Sequence, residues 1–150
     1  MTRWTAGMIL LPVLVGCGGA PAMLAEGSLP PCPDSPNCVS SLAQNPGQRV
    51  APLAFDGDVA TARGALLDIV AGMPRGRVVG TQPNMIQVEF RSCLFRFKDD
   101  LTFLFDAQAK VIHLRSASRS GYYDFGVNRK RAQTIALAWD NLHKGDRRDR

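Results

Sequence analysis

The sequence predicts an α+β domain, a two-layer sandwich with two amphipathic helices on one face of an antiparallel meander of about four strands. Apolar residues recur at three- and four-residue spacing in two segments, as they do along the buried side of a helix. Between these segments, apolar and polar residues alternate in short runs separated by turn residues. One helix before a meander and one after it favour packing of both helices on a single face of the sheet.

The size and composition of the chain are those of one folded domain. Its 150 residues are 45% hydrophobic, which is enough for one core and too little for two comfortable ones. We expect a single domain over residues 32–143. The formal net charge of +5 is uneven, because residues 110–150 hold ten Lys and Arg against four Asp and Glu, whereas residues 17–109 hold seven against nine.

Residues 1–16 have the pattern of a lipoprotein signal peptide. Arg3 provides a positive start, and residues 8–15 form an apolar core too short to span a bilayer. The sequence Leu-Val-Gly-Cys at 14–17 resembles the bacterial lipobox. That resemblance implies acylation of Cys17 and a permanent membrane anchor. The alternative is an ordinary secretory signal with a chance cysteine.

The predicted anchor determines the compartment. Gly18 follows the cysteine, and by analogy with enterobacterial sorting this favours the outer membrane over the inner one. We therefore expect a lipid-anchored protein of the bacterial cell envelope that faces the periplasm. Nucleic acid is then excluded as a partner, although a basic chain would otherwise suggest it.

Residues 17–31 are predicted to be the lipidated cysteine and a flexible tether, rich in Gly, Ala and Pro. Cys32 and Cys38 follow, with five turn-favouring residues between them. In an oxidising compartment a disulfide between them is the default expectation. A Cys38–Cys93 pairing is the alternative. A metal site is less favoured, because the second ligand pair of a zinc ribbon is missing.

The first helix is predicted over residues 56–73. Asp56 or Asp58 supplies the N-cap, and Gly72 and Pro74 end the helix. Alternating strand patterns then begin near residue 77, with turns expected at 82–84, 98–100 and 106–109. Such short connections join antiparallel neighbours, since a parallel crossover needs a dozen residues or more.

The second helix is predicted from near Asp124. Its apolar face comprises Ala132, Ile135, Ala136, Trp139 and Leu142. Residues 144–150 are expected to be a basic, solvated tail.

The alternation also assigns side chains to the two faces of the sheet. The helices are expected to cover the face with Ile86, Val88, Phe90, Phe95, Phe97, Phe103 and Phe105. The other face is expected to be uncovered and to carry Glu89, Arg91, Arg96, Thr102, His113 and Arg115. Such a face is either a solvated surface with cross-strand ion pairs or a binding surface.

The segment leading into the second helix is the candidate anion-binding site, because hydroxyls, guanidinium groups and a helix N-terminus come together there. The candidate residues are Arg115, Ser116, Ser118, Arg119, Ser120, Gly121, Asn128 and Arg129. In the alternative interpretation, the hydroxyls bond the loop's own backbone. Arg119 then pairs with Asp34, Asp99 or Asp100, and the segment closes the structure without a ligand.

Catalysis has weaker support in the sequence. His113 and His143 could act as bases near neutral pH, but no hydrolase or metalloprotease motif accompanies them. A dyad of His113 with Ser116 or Ser118 would require a geometry that sequence proximity does not provide. The pair Asp99 and Asp100 could bind a cation, although carboxylates near strand ends are more often turn residues. We assign no catalytic residue, metal site or cofactor.

Three motifs together resemble the domain of unknown function family fourteen-ninety-nine: Cys-Pro-Asp-Ser-Pro-Asn-Cys-Val-Ser-Ser at 32–41, Phe-Lys-Asp-Asp-Leu-Thr-Phe at 97–103, and Arg-Ser-Ala-Ser-Arg-Ser-Gly at 115–121 with Asp-Phe-Gly-Val-Asn-Arg at 124–129. The resemblance implies a bacterial envelope lipoprotein or membrane protein, with relatives in plant plastids. It implies no activity, cofactor or catalytic residue.

From these observations we expect a membrane-tethered binding or structural module whose basic loop meets an anionic lipid or cell-wall ligand. The alternatives are an envelope hydrolase using His113 with Asp or Ser partners, and a lipoprotein subunit that an envelope protein partner recognises through the charged sheet face.

Overall fold

The computed structural model describes residues 27–92 and 97–146, with side chains described up to residue 143. The predicted signal peptide, the predicted lipidation site Cys17, the possible disulfide partner Cys93, and the residues Phe95 and Arg96 lie outside the described residues. The described chain folds as an α+β sandwich, so the predicted fold class is confirmed.

The sheet is antiparallel, and within the described residues it contains six strands. They are β1 (Cys38–Ser40), β2 (Leu53–Ala54), β3 (Gly76–Gln82), β4 (Met85–Arg91), β5 (Lys98–Asp106) and β6 (Val111–Ser118). The order across the sheet is β1-β6-β5-β4-β3, and β2 also pairs with β6. The last four strands are the predicted meander. The two short strands extend it by lying one after the other along the same edge of β6, β2 against its start and β1 against its end.

One predicted turn is wrong. Residues 98–100 were expected to separate two strands, but they open β5, where Lys98 pairs with Arg91 and Asp99 with Ser118 on the neighbouring strands. Strands β4 and β6 supply backbone hydrogen-bond partners to this first part of β5. Basic side chains also meet both carboxylates, so the strand continues through residues that ordinarily favour turns.

Helix α1 spans Val59–Ala71, and Asp58 is its N-cap. The Asp58 carboxylate accepts a hydrogen bond from the backbone N–H of Thr61 at 2.8 Å, and this bond lowers the pKa of Asp58. Gly72 caps the other end. The cap residue and the stop signal in the sequence are those that the structure uses.

Helix α2 spans Val127–Asp146 and begins three residues later than predicted. The delay has a local cause, because the Asp124 carboxylate accepts the backbone N–H groups of Gly126 and Asn128 at 2.9 and 2.8 Å and so caps the helix from outside it. Leu142, predicted on the buried face, is 50% exposed. The buried face of α2 instead ends at Trp139, whose indole N–H donates to the Ala54 carbonyl at 2.7 Å.

Both helices pack on one face of the sheet, which we call the inner face, and the core lies between the two layers. The largest fully buried apolar side chains of the described residues are Trp139, Phe103, Leu66, Met85, Ile86, Leu101, Ile112, Leu114 and Ile135, and all of these except Met85 belong to this core. Met85 belongs to the opposite, outer face by alternation along β4. Phe97 was expected in the core but is 52% exposed, since it precedes the first residue of β5 and lies past the paired strands.

The outer face is less open than predicted. Glu89 and Thr102 were expected on a solvated surface, yet each is only 3% exposed. Long basic side chains lie over Glu89, and the Arg115 Nη2 lies 3.5 Å from the backbone oxygen of Pro31, so the N-terminal segment reaches this face.

Candidate anion-binding surface

Strand β6 divides the predicted anion-binding residues between the two faces of the sheet. The strand runs to Ser118, and successive side chains along a strand point to opposite faces. Ser116 pairs with core residue Leu101 and is fully buried on the inner face. Arg115 lies on the outer face. The hydroxyls and the arginines therefore do not converge on one cradle.

The inner-face residues form a hydrogen-bond network centred on Asn128, which is fully buried. The Asn128 Oδ1 accepts from the Ser116 hydroxyl and from Arg131 Nη1, both at 2.6 Å. Its Nδ2 lies 3.0 Å from the Asn37 carbonyl, 3.0 Å from the Ser118 hydroxyl and 2.8 Å from the Asp124 carboxylate. This network joins α2 to β6 and to the segment before β1.

Asp99 extends the same network. Arg131 Nη2 donates to one Asp99 oxygen at 2.7 Å, and the Ser118 hydroxyl donates to the other at 2.6 Å. The side chains of this ion pair are about nine-tenths buried, and the Arg131 guanidinium lies 4.4 Å from the centre of the Phe90 ring. Because each charged group has its partners inside the domain, this network holds the layers together without a ligand.

On the outer face, Arg119 also has internal partners. It donates two hydrogen bonds to the Asp100 carboxylate, at 2.8 and 2.6 Å, and a third contact reaches Glu89 at 3.0 Å. The fork geometry raises the pKa of Arg119, chiefly through the bond to Asp100. Of the three carboxylates proposed as internal partners of Arg119, the structure selects Asp100 and adds Glu89, which the sequence did not suggest.

Glu89 lies at the centre of a cluster of cations. Burial alone raises the pKa of this carboxyl. The hydrogen bond from Arg91 at 2.9 Å and the charges of Lys98, Arg119 and Arg91 outweigh that effect and hold its pKa below the ordinary value. Glu89 is therefore a buried anion that orients the basic side chains around it.

Basic groups outnumber acidic ones on this part of the outer face. Arg75 and Arg77 on the adjoining edge of the sheet are exposed, and they line a cavity of about 380 Å³ together with Gly76, Glu89 and Arg91. We call the following set the basic surface: Arg75, Arg77, Arg91, Lys98, Arg115 and Arg119. Its neighbouring carboxylates among the described residues are Glu89 and Asp100, so positive charge is in clear excess.

The remaining predicted residues have separate positions. Ser120 and Gly121 are exposed, and the Gly121 carbonyl accepts a hydrogen bond from the side chain of Asn37. Arg129 donates to the backbone oxygens of Gly47 and Arg49 at 2.6 and 3.1 Å. Burial lowers the pKa of Arg115. Its buried Nε has no hydrogen-bond partner among the described residues.

His113 is not next to the serines proposed for a dyad. Its Nδ1 lies 3.1 Å from the Ser41 hydroxyl, whereas Ser116 and Ser118 point to the opposite face of the sheet. Ser41 also accepts the backbone N–H of Leu114 at 3.1 Å, so its hydroxyl belongs to the contact between the two segments. No described carboxylate hydrogen-bonds His113, and this geometry does not favour the hydrolase hypothesis.

The predicted disulfide between Cys32 and Cys38 is confirmed. The loop it closes is fastened to the rest of the domain by Gln48, whose Nε2 lies 2.6 Å from the Pro33 oxygen and 2.9 Å from the Ser35 oxygen. The disulfide thus fixes the chain where it enters the sheet at β1.

Arg75, Arg77 and Lys98 were missed as candidate site residues in the sequence. Arg75 precedes the predicted strand pattern, Arg77 stands at its start, and Lys98 was assigned to a turn. The structure brings them together through the pairing of the strands, which places Arg77 opposite Glu89 and Lys98 opposite Arg91. Register between strands has to be known before these side chains can be placed together.

No helix among the described residues is long and apolar enough to cross a bilayer, and these residues contain no group of three or more His, Cys, Asp or Glu side chains placed to hold a metal ion. A family model described as "Protein of unknown function (DUF1499)" matches residues 28–138, so the chain belongs to this family, as its motifs indicated. No curated protein matches the chain significantly.

Proposed function

We propose that this member of the DUF1499 family is a lipid-anchored binding module of the bacterial envelope whose basic surface holds an anionic group. The ligand is a lipid phosphate or a carboxylate of the cell wall. The proposal replaces the loop cradle suggested by the sequence with a site on the outer face of the sheet, at the end where β4 finishes and β5 begins.

One observation carries the proposal. Arg75 and Arg77 are exposed, and they line the same cavity as the buried carboxylate of Glu89. Neither arginine has an ion-pair partner among the described residues. The side chains of Arg91 and Lys98 are 44% and 40% exposed, so an anion in solvent can reach them while Glu89 orients them. Guanidinium groups match the oxygen geometry of phosphates and carboxylates, so a set of them held in place is suited to bind such groups.

The anchoring part of the proposal is supported by the lipobox-like residues before Cys17 and by the short apolar core preceding them. Metabolic labelling of cells that express the Cys17→Ser variant tests the anchor directly. We expect the variant to lose the acylated form detected by metabolic labelling with a radioactive fatty acid. Unchanged labelling would refute the anchor.

The binding part is tested with inorganic pyrophosphate as the probe. The acylated protein, purified in non-ionic detergent, is titrated by calorimetry at low salt. We expect the double variant Arg75→Gln and Arg77→Gln to bind about tenfold more weakly, the effect of losing two exposed charge contacts. Its melting temperature should change little, because neither side chain has a described internal partner.

Lys110→Gln is the matched control. Lys110 carries the same charge at the opposite end of the sheet, where its Nζ donates to the Gly57 carbonyl at 2.6 Å. The proposal expects this control to bind pyrophosphate like the unmodified protein. Equal weakening in the control and the double variant would show a general charge effect, and no pyrophosphate binding at all would refute the site.

A further inference from the structure

The loop between β6 and α2 presents three aromatic side chains to solvent. Tyr122, Tyr123 and Phe125 are 71%, 60% and 79% exposed, and we call them the aromatic tip. The rings of Tyr123 and Phe125 meet edge to face with their centres 5.2 Å apart. Contiguous exposed apolar groups of this kind mark interaction surfaces on soluble domains.

The fold holds these rings outward. The side chain of Asn37 bonds the Gly121 carbonyl at the start of the loop, and the Asp124 carboxylate accepts the backbone N–H groups of Gly126 and Asn128 at the end. Phe125 itself has φ +56°, a left-handed conformation that is unfavourable for an aromatic residue. The anchoring contacts at the two ends of the loop hold the tip in a defined shape against this backbone strain.

The aromatic tip lies at the same end of the sheet as the basic surface. The backbone N–H of Arg119 donates to the Lys98 carbonyl at 2.9 Å, and the tip begins three residues after Arg119. The carboxylates nearby have internal partners, since Asp100 binds Arg119 and Asp124 binds backbone amides. The aromatic tip therefore lies at the end of the sheet that carries the basic surface, next to Lys98 and Arg119.

We infer that the aromatic tip inserts into the headgroup region of an anionic bilayer while the basic surface binds lipid phosphates. The inference rests on the proposed function and names its ligand as the membrane surface itself. Amphipathic rings partition into the membrane interface, and neighbouring Lys and Arg side chains add electrostatic attraction to anionic lipids. This complementarity of charge and apolar character favours a bilayer over a protein partner.

The length of the chain before the described residues permits this contact. Gly27 lies near Asn84, at the end of β4 opposite the tip. The seven residues of β4 span about 20 Å, given a rise of about 3.3 Å per residue. The ten residue-to-residue steps from Cys17 to Gly27 can extend to about 35 Å. An anchor at Cys17 can therefore reach past the domain and leave the tip against the membrane.

The test uses the acylated protein in lipid nanodiscs that contain a gadolinium-labelled headgroup lipid. One set of discs is phosphatidylcholine alone, and the other is an equal mixture with phosphatidylglycerol. We expect paramagnetic broadening of the ring signals of Tyr122, Tyr123 and Phe125 in the anionic discs and much less in the neutral ones. Broadening centred on the turn at 107–110 instead, or equal broadening in both discs, would overturn the inference.

Phe125→Asn provides the matching variant. Asn tolerates the left-handed conformation at this position, so the loop should keep its shape while it loses the ring. We expect about tenfold fewer inserted domains, because the variant lacks an aromatic ring that insertion would bury in the membrane. Leu137→Gln is the control, because it removes a 66% exposed apolar side chain from α2 and should leave the broadening unchanged. Equal loss in both variants would contradict a specific tip.

The outcomes separate this inference from the proposed function. Pyrophosphate binding through Arg75 and Arg77 without broadening of the tip would refute the membrane contact alone. Absence of both would refute both. Broadening that persists in Phe125→Asn but disappears when each disc carries a single protein would show contact between two copies, which also refutes insertion.

Discussion

Asn128→Ala should destabilise the domain more than any substitution on its surface. Asn128 is fully buried, and its amide is the point where α2, β6 and the segment before β1 are joined. Removal of the amide takes away the acceptor of the Ser116 hydroxyl, one of the acceptors of Arg131, and one of the two donors to the Asn37 carbonyl, which keeps the Ser118 N–H. Buried polar groups that lose their partners lose the stabilisation of the bond and keep the cost of desolvation.

The size of the effect follows from these three contacts. Two neutral hydrogen bonds at about 1 kcal/mol each and one to a charged group at about 1.5–3 kcal/mol sum to about 3.5–5 kcal/mol. Alanine favours a helix by about 0.6 kcal/mol over asparagine, so the net loss is about 3–4 kcal/mol. For a domain of this size the melting temperature should fall by about 10–15 °C.

Urea unfolding followed by circular dichroism, with the disulfide intact, measures this loss. Asn141→Ala is the matched control, because Asn141 is exposed on the same helix and gains the same helix preference without losing a buried contact. We expect the control to be unchanged or slightly more stable. A loss below about 1 kcal/mol in Asn128→Ala would refute the view that this network holds the layers together.

Three further substitutions test other contacts. Glu89→Gln should lower the melting temperature at neutral pH, and its difference from the unmodified protein should shrink as pH falls below about 4.5. The reason is that a carboxyl with a lowered pKa stabilises above its ordinary value of 4.5 and loses that contribution as pH falls through its folded-state pKa. Replacing Cys32 and Cys38 with serine should cost about 2–3 kcal/mol in chemical unfolding, the value expected for a short closed loop. Gly76→Ala should cost about 1–3 kcal/mol in the same assay, because its new Cβ would lie 2.7 Å from the Phe90 ring.

Each of these expectations has a definite counter-result. A constant gap between Glu89→Gln and the unmodified protein from neutral to acid pH would show that another group controls acid unfolding. Serine variants that unfold like the parent protein would make the disulfide irrelevant to stability. For Gly76→Ala, the control is Gly64→Ala in α1, where nothing lies within 4 Å and the helix should gain stability. Equal behaviour of the two glycine variants would contradict the steric account.

The fold was predictable because its signals are local. The period of apolar residues predicted both helices, and Asp58, one of the two N-cap candidates, and Gly72 cap α1. The strands β1 and β2 were missed since runs of three and two residues are too short to show alternation. The turn predicted at residues 98–100 was wrong for another reason. Arg131 and Arg119 pair with the carboxylates of Asp99 and Asp100, and these tertiary contacts override the local preference of aspartate for turns.

The candidate site was only partly predictable, because it depends on where a strand ends and on how strands align. Had β6 been extended to Ser118, simple alternation would have separated Ser116 from Arg115 and removed the single cradle. The excess of Lys and Arg after residue 110 also drew attention to the segment before α2 and away from the earlier strands. Arg75 and Arg77 come from the part of the sequence with a net negative charge, and only strand register brings them next to Arg91.

The most direct test of the account is to observe the side-chain Nε–Hε NMR signals of the arginines while pyrophosphate is added to the acylated protein in detergent micelles. We predict saturable shifts for Arg75, Arg77 and Arg91 on the outer face, with Arg131 in the buried network unchanged. Shifts confined to Arg129 and the amides of residues 116–121 would instead support a cradle at the start of α2, and would contradict a binding site on the basic surface.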